Sequence, residues 1–167
     1  MSTSEKEMTF GEAIKEAISE ELRRDPNVFV MGEDVGPAGT VFKVLTGLYD
    51  EFGSERIIDT PIAEAGIMGL GVGAALTGMR PIVDIMFGDF MTLAMDQVVN
   101  QAAKLCYMSG GQASVPITIR TTIGAGRSSA AQHSQSLHAW LAHIPGLKVV
   151  MPSTPADAKG LFKTAVR

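Results

Sequence analysis

Residues 9–31 read TFGEAIKEAISEELRRDPNVFVM, and this stretch sets the fold class. Thr9 followed by Glu12 has the spacing of a capping box, and Ile14, Ala17, Ile18 and Leu22 then recur on one helical face until Asp25-Pro26 stops the helix. Val28-Phe29-Val30-Met31 is a short apolar run between turn residues, the pattern of a strand covered on both faces. A helix therefore delivers the chain into a buried strand.

Working outward, the same alternation continues. The pattern predicts a loop over residues 32–40, a helix over 44–52, a strand over 56–59 and a small-residue helix over 61–77. A strand over 81–86, a helix over 90–105, a strand over 116–121 and a Gly/Ser/Ala-rich loop over 122–135 follow. The last elements are a strand over 147–151 and a helix over 154–167. Strands alternating with helices call for parallel pairing, so the expected class is α/β, a doubly wound, mostly parallel sheet with helices on both faces. The expected organisation is a polar N-terminal tail over residues 1–8 and one domain over 9–167. The chain stops inside a helical pattern, so the natural protein is expected to continue, with a last strand beyond it.

A chain of 167 residues fits one core better than two. The formal charge of -4 leaves no basic stripe to neutralise a phosphate backbone, which argues against nucleic acid as a partner. Cys106 is the only cysteine and has no partner for a disulfide, as expected in a reducing compartment. The polar start lacks the apolar core of a secretory signal and the arginine bias of a transit peptide, so a cytoplasmic location is expected. The uncharged run over residues 65–79 is glycine-rich and too short to span a bilayer, so no membrane insertion is expected.

Asp59-Thr60-Pro61-Ile62-Ala63-Glu64 is the most informative segment for chemistry. Thr60 suits an N-cap and Pro61 the first helical position, which puts Glu64 in the first turn, at the positive end of the helix dipole. Glu64 is also the only charge between Asp59 and Arg80. It reads either as a first-turn acid stabilised by the dipole or as a buried acid whose ionisation is tuned for chemistry. The same helix carries Gly66, Gly69, Gly71, Gly73 and Gly78, each costing roughly 1 kcal/mol of helix propensity relative to alanine. Close backbone approach offsets such a cost, either in the core or at a subunit or cofactor interface.

These residues resemble a known family. Gly32-Glu33-Asp34-Val35, the run from Arg56 through Gly66, and Arg80-Pro81-Ile82-Val83 look like the pyrimidine-binding domain of the beta subunits of thiamine-diphosphate-dependent 2-oxo acid dehydrogenases. The runs over residues 96–104, 107–111, 131–136 and 143–150 continue the likeness in order and spacing, so that it covers the chain from Met8 onward.

The resemblance implies that Glu64 hydrogen-bonds a ring nitrogen of the cofactor's aminopyrimidine and favours its imino tautomer, the base that deprotonates the thiazolium carbon. It further implies that Met86 and Phe90 pack around the pyrimidine and that Glu33 shares in proton traffic. For these three, plain core packing and turn capping remain as alternatives. His133, in the Gly/Ser-rich loop, is implied to face the substrate, holding its carboxylate or carbonyl or passing protons to a lipoyl group; a lone loop histidine otherwise reads as solvated. His133, His138 and His143 lack the spacing of a helical metal pair, which argues against zinc. Main-chain oxygens near Ile117, Ala165 and Val166 match the position of a structural potassium ion in relatives.

The family's Gly-Asp-Gly and Asn-Asn magnesium motif is missing: Gly88-Asp89-Phe90 is the nearest counterpart and no Asn-Asn occurs. The diphosphate and its Mg2+ are therefore expected on an alpha subunit, in an alpha2beta2 assembly that docks on a lipoyl acyltransferase core. Leu93 stands where several relatives place Glu or Gln, which removes a proton relay through that side chain. The implied activity is decarboxylation of a 2-oxo acid, pyruvate favoured, or cleavage of acetoin, with transfer of the acyl unit to lipoamide. A transketolase-like or deoxyxylulose-phosphate synthase module, and a non-catalytic scaffold subunit that retains the fold, are the alternatives.

Overall fold

The computed structural model describes residues 7–167, so most of the tail expected over residues 1–8 lies outside the described residues. Helix α1 (Phe10–Arg24) opens with the expected capping box: the Thr9 side chain accepts from the Glu12 N–H, and the Glu12 carboxylate accepts from the Thr9 N–H at 2.7 Å. Asp25-Pro26 turns the chain into β1 (Val28–Glu33), and α2 (Leu48–Phe52), β2 (Ile57–Thr60), α3 (Glu64–Leu76) and β3 (Arg80–Ile85) follow. β4 (Thr118–Thr121) completes a four-stranded sheet of order β2-β1-β3-β4, with every neighbouring pair parallel. The α/β class inferred from periodicity is the class observed.

Alternation along β1 divides the core. Val28 and Val30 join Ile18 and Leu22 of α1, Leu48 of α2 and Val166 at the end of α6 (Pro155–Val166). Phe29 and Met31 point the other way, onto Ile67 and Met68 of α3 and onto Met91, Ala94 and Val98. Both faces are thus covered, which is why the strand reads as an unbroken apolar run.

Four expectations change in the structure. The helix expected over 44–52 is only α2, because residues 41–47 form turns. Thr60 does not cap α3: it pairs with Glu33 in the β1–β2 ladder, and Ala63 becomes the N-cap without a side-chain bond, so Glu64 is the first helical residue. The helix expected over 90–105 is broken into a 3-10 segment (Gly88–Ala94), a π segment (Gln97–Ala102) and the short α4 (Leu105–Met108). The wide turn is visible where the Ala103 N–H reaches the Val98 carbonyl, five residues back.

The strand expected over 147–151 does not form. Val149, Val150 and Met151 are 38%, 48% and 58% exposed, and no described strand takes up their backbone groups. A β-branched run favours extended backbone, but strand pairing needs a neighbour. The pattern also missed α5 (His138–Ala142). Among the described residues no helix is long and apolar enough to cross a membrane.

Gly71 explains part of the glycine content of α3. A Cβ there would lie 2.8 Å from Cγ2 of Val83 and 3.1 Å from Cδ1 of Ile117, so the helix sits closer to β3 than a side chain would allow. Gly73 and Gly78 face open space, and only Gly71 among these is explained by the core.

Candidate functional site

The chain runs from β1 outward to β2 and then returns past β1 to β3. The strand order therefore switches direction between β1 and β3. In open α/β sheets a crevice forms beyond the carboxyl ends of the strands at such a switch. Glu33 ends β1, Met86 directly follows β3, and Glu64 opens the helix after β2. Three residues singled out from sequence thus gather at one edge of the sheet.

Glu33 and Glu64 are both half-buried. Burial, then Asp34, then the nearby Glu64 raise the Glu33 carboxyl above the ordinary carboxylate range. Glu64 sits at the start of α3, where unpaired N–H groups and the dipole favour negative charge. Met86 is buried, and its sulfur accepts the Val41 N–H at 3.4 Å, which fastens the loop after β1 over the end of β3.

Beside this edge lies an aromatic cluster. Phe87 adopts a φ of 68°, an uncommon conformation for a bulky residue. Its ring meets His133 edge-on with centroids 4.6 Å apart, and Phe90 lies 5.2 Å from the same imidazole. Phe42 packs on Phe87 at 5.3 Å, and the Arg127 guanidinium lies 4.2 Å over the Phe42 ring. The structure thus brings His133 and Phe90 together. The turn Ala131–His133 is held by Asp89, whose Oδ1 accepts from the Gln135 N–H at 3.2 Å and from Gln135 Nε2 at 2.8 Å.

Sequence reasoning missed Phe42, Phe87, Arg127 and the pairing of Asp89 with Gln135. Asp89 was visible only as a remnant of a magnesium motif, and nothing in the sequence couples residue 42 to residue 127. Also missed was the buried ion pair of Asp84 with Arg120, which face each other in register on β3 and β4.

The oxygens expected to hold potassium lie at the opposite edge, where β4 begins and α6 ends. The Thr118 hydroxyl donates to the Ala165 carbonyl at 3.1 Å, and Arg80 Nε donates to the Val166 carbonyl at 2.8 Å. A guanidinium at that carbonyl repels a second cation, so the Val166 oxygen does not fit a potassium ligand here. Among the described residues, no group of three or more His, Cys, Asp and Glu side chains is arranged to hold a metal ion. The edge bearing Glu33 and Glu64 has the chemistry for a flat, nitrogen-containing heterocycle: a half-buried carboxylate for a ring nitrogen, with the apolar Met86 and Phe90 carried on the chain just after β3.

Residues 6–167 match the family described as transketolase, pyrimidine binding domain. The chain is 56% identical over 160 residues to the pyruvate dehydrogenase E1 component subunit beta of Rhizobium meliloti, covering 96% of this chain and 35% of that one. It is 53% identical to the 2-oxoisovalerate dehydrogenase subunit beta of Bacillus subtilis, covering 96% of this chain and 49% of the relative. Identity is 52% to the acetoin:2,6-dichlorophenolindophenol oxidoreductase subunit beta of the same organism, covering 95% and 50%. The chain therefore spans half or less of the length of these curated relatives. A solved structure described as a split gene transketolase, inactive beta4 tetramer, superposes with a TM-score of 0.72 at 22% identity, over 96% of this chain and 48% of that one, a likeness of fold. With a parallel sheet that switches direction between β1 and β3 and a sequence match along nearly its whole length, the chain belongs to the transketolase pyrimidine-binding domain family.

Proposed function

We propose that this chain supplies the aminopyrimidine half-site of a thiamine-diphosphate-dependent dehydrogenase that decarboxylates a 2-oxo acid, pyruvate favoured, or cleaves acetoin and passes the acyl unit to lipoamide. The observation that carries this reading is the pair of half-buried carboxylates, Glu64 and Glu33, at the carboxyl edge of the sheet beside the switch point. Thiamine diphosphate, when bound, supplies the nucleophilic carbon and the electron sink for bond cleavage next to a carbonyl.

In this reading the Glu64 carboxylate, in the first turn of α3, holds the proton at a ring nitrogen of the aminopyrimidine. Glu33, whose carboxyl is raised chiefly by burial, shares in proton traffic at the same edge. Met86 and Phe90 hold the ring flat and exclude water. His133, steadied by Phe87 and Phe90, faces the substrate, where its imidazole holds the carboxylate or carbonyl or moves a proton to it.

The relatives are named as beta subunits, one of them of an E1 component, which supports an alpha subunit as partner within a multienzyme complex. In this reading the assembly is alpha2beta2 and docks on a lipoyl acyltransferase core. The exposed Ile62, Leu70, Leu76, Leu93, Tyr107, Met108 and Trp140 support a large buried interface of this kind. Diphosphate and Mg2+ belong on that partner in this reading, in a cytoplasmic enzyme.

The test is reconstitution of the full-length protein with its alpha subunit and assay against pyruvate, branched-chain 2-oxo acids and acetoin. Glu64→Gln is expected to assemble normally and to lose turnover on every substrate. Near wild-type turnover in that variant overturns the assignment.

A further inference from the structure

The loop over residues 122–135 carries His133, and its glycines and serines give it little stiffness of its own. Its tether is Asp89, a residue of the segment that also carries Phe90. Asp89 is 5% exposed, and a single oxygen, Oδ1, accepts both the main-chain and side-chain donors of Gln135, two residues past the histidine. The other oxygen, Oδ2, is buried with no hydrogen-bond partner in the described structure. A buried carboxylate oxygen without a donor costs stability, so local stability does not account for an acid at this position.

We propose that Asp89 is the positioning residue for His133, clamping the loop through Gln135 so that the imidazole stays in its slot between Phe87 and Phe90. Two donors on one acceptor fix both the distance and the direction in which the chain passes Asp89. Without that anchor the loop keeps the Gly124 N–H bond to the Gln135 carbonyl at 3.1 Å, which joins the loop to itself, and the imidazole keeps two edge-on ring contacts that are individually weak. Burial alone raises the Asp89 carboxyl, but the Gln135 donors and the nearby His133 outweigh it and hold the group ionised, which strengthens both clamp bonds. The geometric claim stands on these contacts alone; its catalytic consequence rests on the reading of His133 given above.

The test is the rate at which diethyl pyrocarbonate modifies each histidine in the full-length, assembled protein, resolved by mass spectrometry. His138 and His143 serve as internal controls. Asp89→Ala is expected to raise the rate at His133 several-fold and to leave the two controls unchanged. Asp89→Asn, which keeps an acceptor oxygen, is expected to restore the slow rate. Gln135→Met removes only the exposed side-chain donor and is expected to give a smaller rise at His133, which keeps the proposal testable if Asp89→Ala fails to fold. An unchanged His133 rate in Asp89→Ala or, where that variant does not fold, in Gln135→Met overturns the clamp. A rise at all three histidines together, or no rescue by asparagine, overturns it as well. If the modification pattern holds while His133→Asn retains full turnover, the clamp stands and the catalytic reading of His133 falls.

Discussion

The Glu64 carboxylate lies close enough to Glu33 to add to what burial and Asp34 have already done, raising the Glu33 carboxyl. Two acids, one ending β1 and the other opening α3, thus share one edge of the sheet. A carboxyl raised on folding favours the folded state below the ordinary value of 4.5, and that contribution is lost as pH rises through the raised value. Glu33→Gln is therefore expected to raise the melting temperature at pH ~8, with the gain vanishing below about pH 4. Thermal unfolding at both pH values checks this, and an equal gain at both contradicts it.

Glu20 shows the opposite behaviour. Hydrogen bonds first from Lys159 and then from Lys163 lower its carboxyl to about 2, joining α1 to α6. Stability from this cluster is present above 4.5 and is lost as pH falls toward 2. The side chains are a quarter to a third exposed, so screening limits the effect to on the order of 1 kcal/mol. Glu20→Gln is expected to lower the melting temperature at pH ~7, less so in ~1 M salt, and to match the parent near pH 2.

Asp84 and Arg120 are 3% and 8% exposed and lie within the sheet. Burial raises the Asp84 carboxyl and the Arg120 charge opposes that. Removing one partner leaves the other buried and unpaired, so Arg120→Met is expected to cost about 3–5 kcal/mol in denaturant unfolding. The double change Asp84→Leu with Arg120→Met is expected to recover most of that loss. If the double variant is as unstable as the single one, the pair contributes more than mutual neutralisation.

Two glycines of α3 are expected to respond with opposite signs. Gly71→Ala drives a methyl against Val83 and Ile117 and is expected to destabilise by about 1–3 kcal/mol, despite the better helix propensity of alanine. Gly73→Ala meets nothing within 4 Å and is expected to stabilise the chain by up to about 1 kcal/mol. Chemical denaturation of both variants decides whether close packing on the sheet sets the requirement at position 71.

Local signals were enough for much of the site. Thr9 and Glu12 announce the start of α1 because a capping box is contained within four adjacent residues. Glu64 stands out because it is the one charge in a long neutral segment, and its place in the first turn holds although its cap is Ala63 rather than Thr60. Thr154-Pro155, by contrast, does start α6 as such a pair should, with the Thr154 hydroxyl accepting from the Asp157 N–H. The two Thr-Pro pairs differ in what lies beside them: Thr60 has β1 to pair with, and no strand among the described residues pairs with Thr154.

Periodicity and punctuation, which act over a few residues, were sufficient for the α/β class, the positions of most strands along the chain and the conspicuous Glu64. Tertiary packing alone settled that residues 147–151 stay unpaired, that the segment after β3 breaks into three short helical pieces, and that Phe42, Phe87, Phe90 and His133 meet. Hydrogen bonds within a turn join near neighbours and leave a mark in composition. The contact of Asp89 with Gln135 joins residues 46 apart, and it forms only once the sheet has brought the carboxyl ends of its strands to one edge.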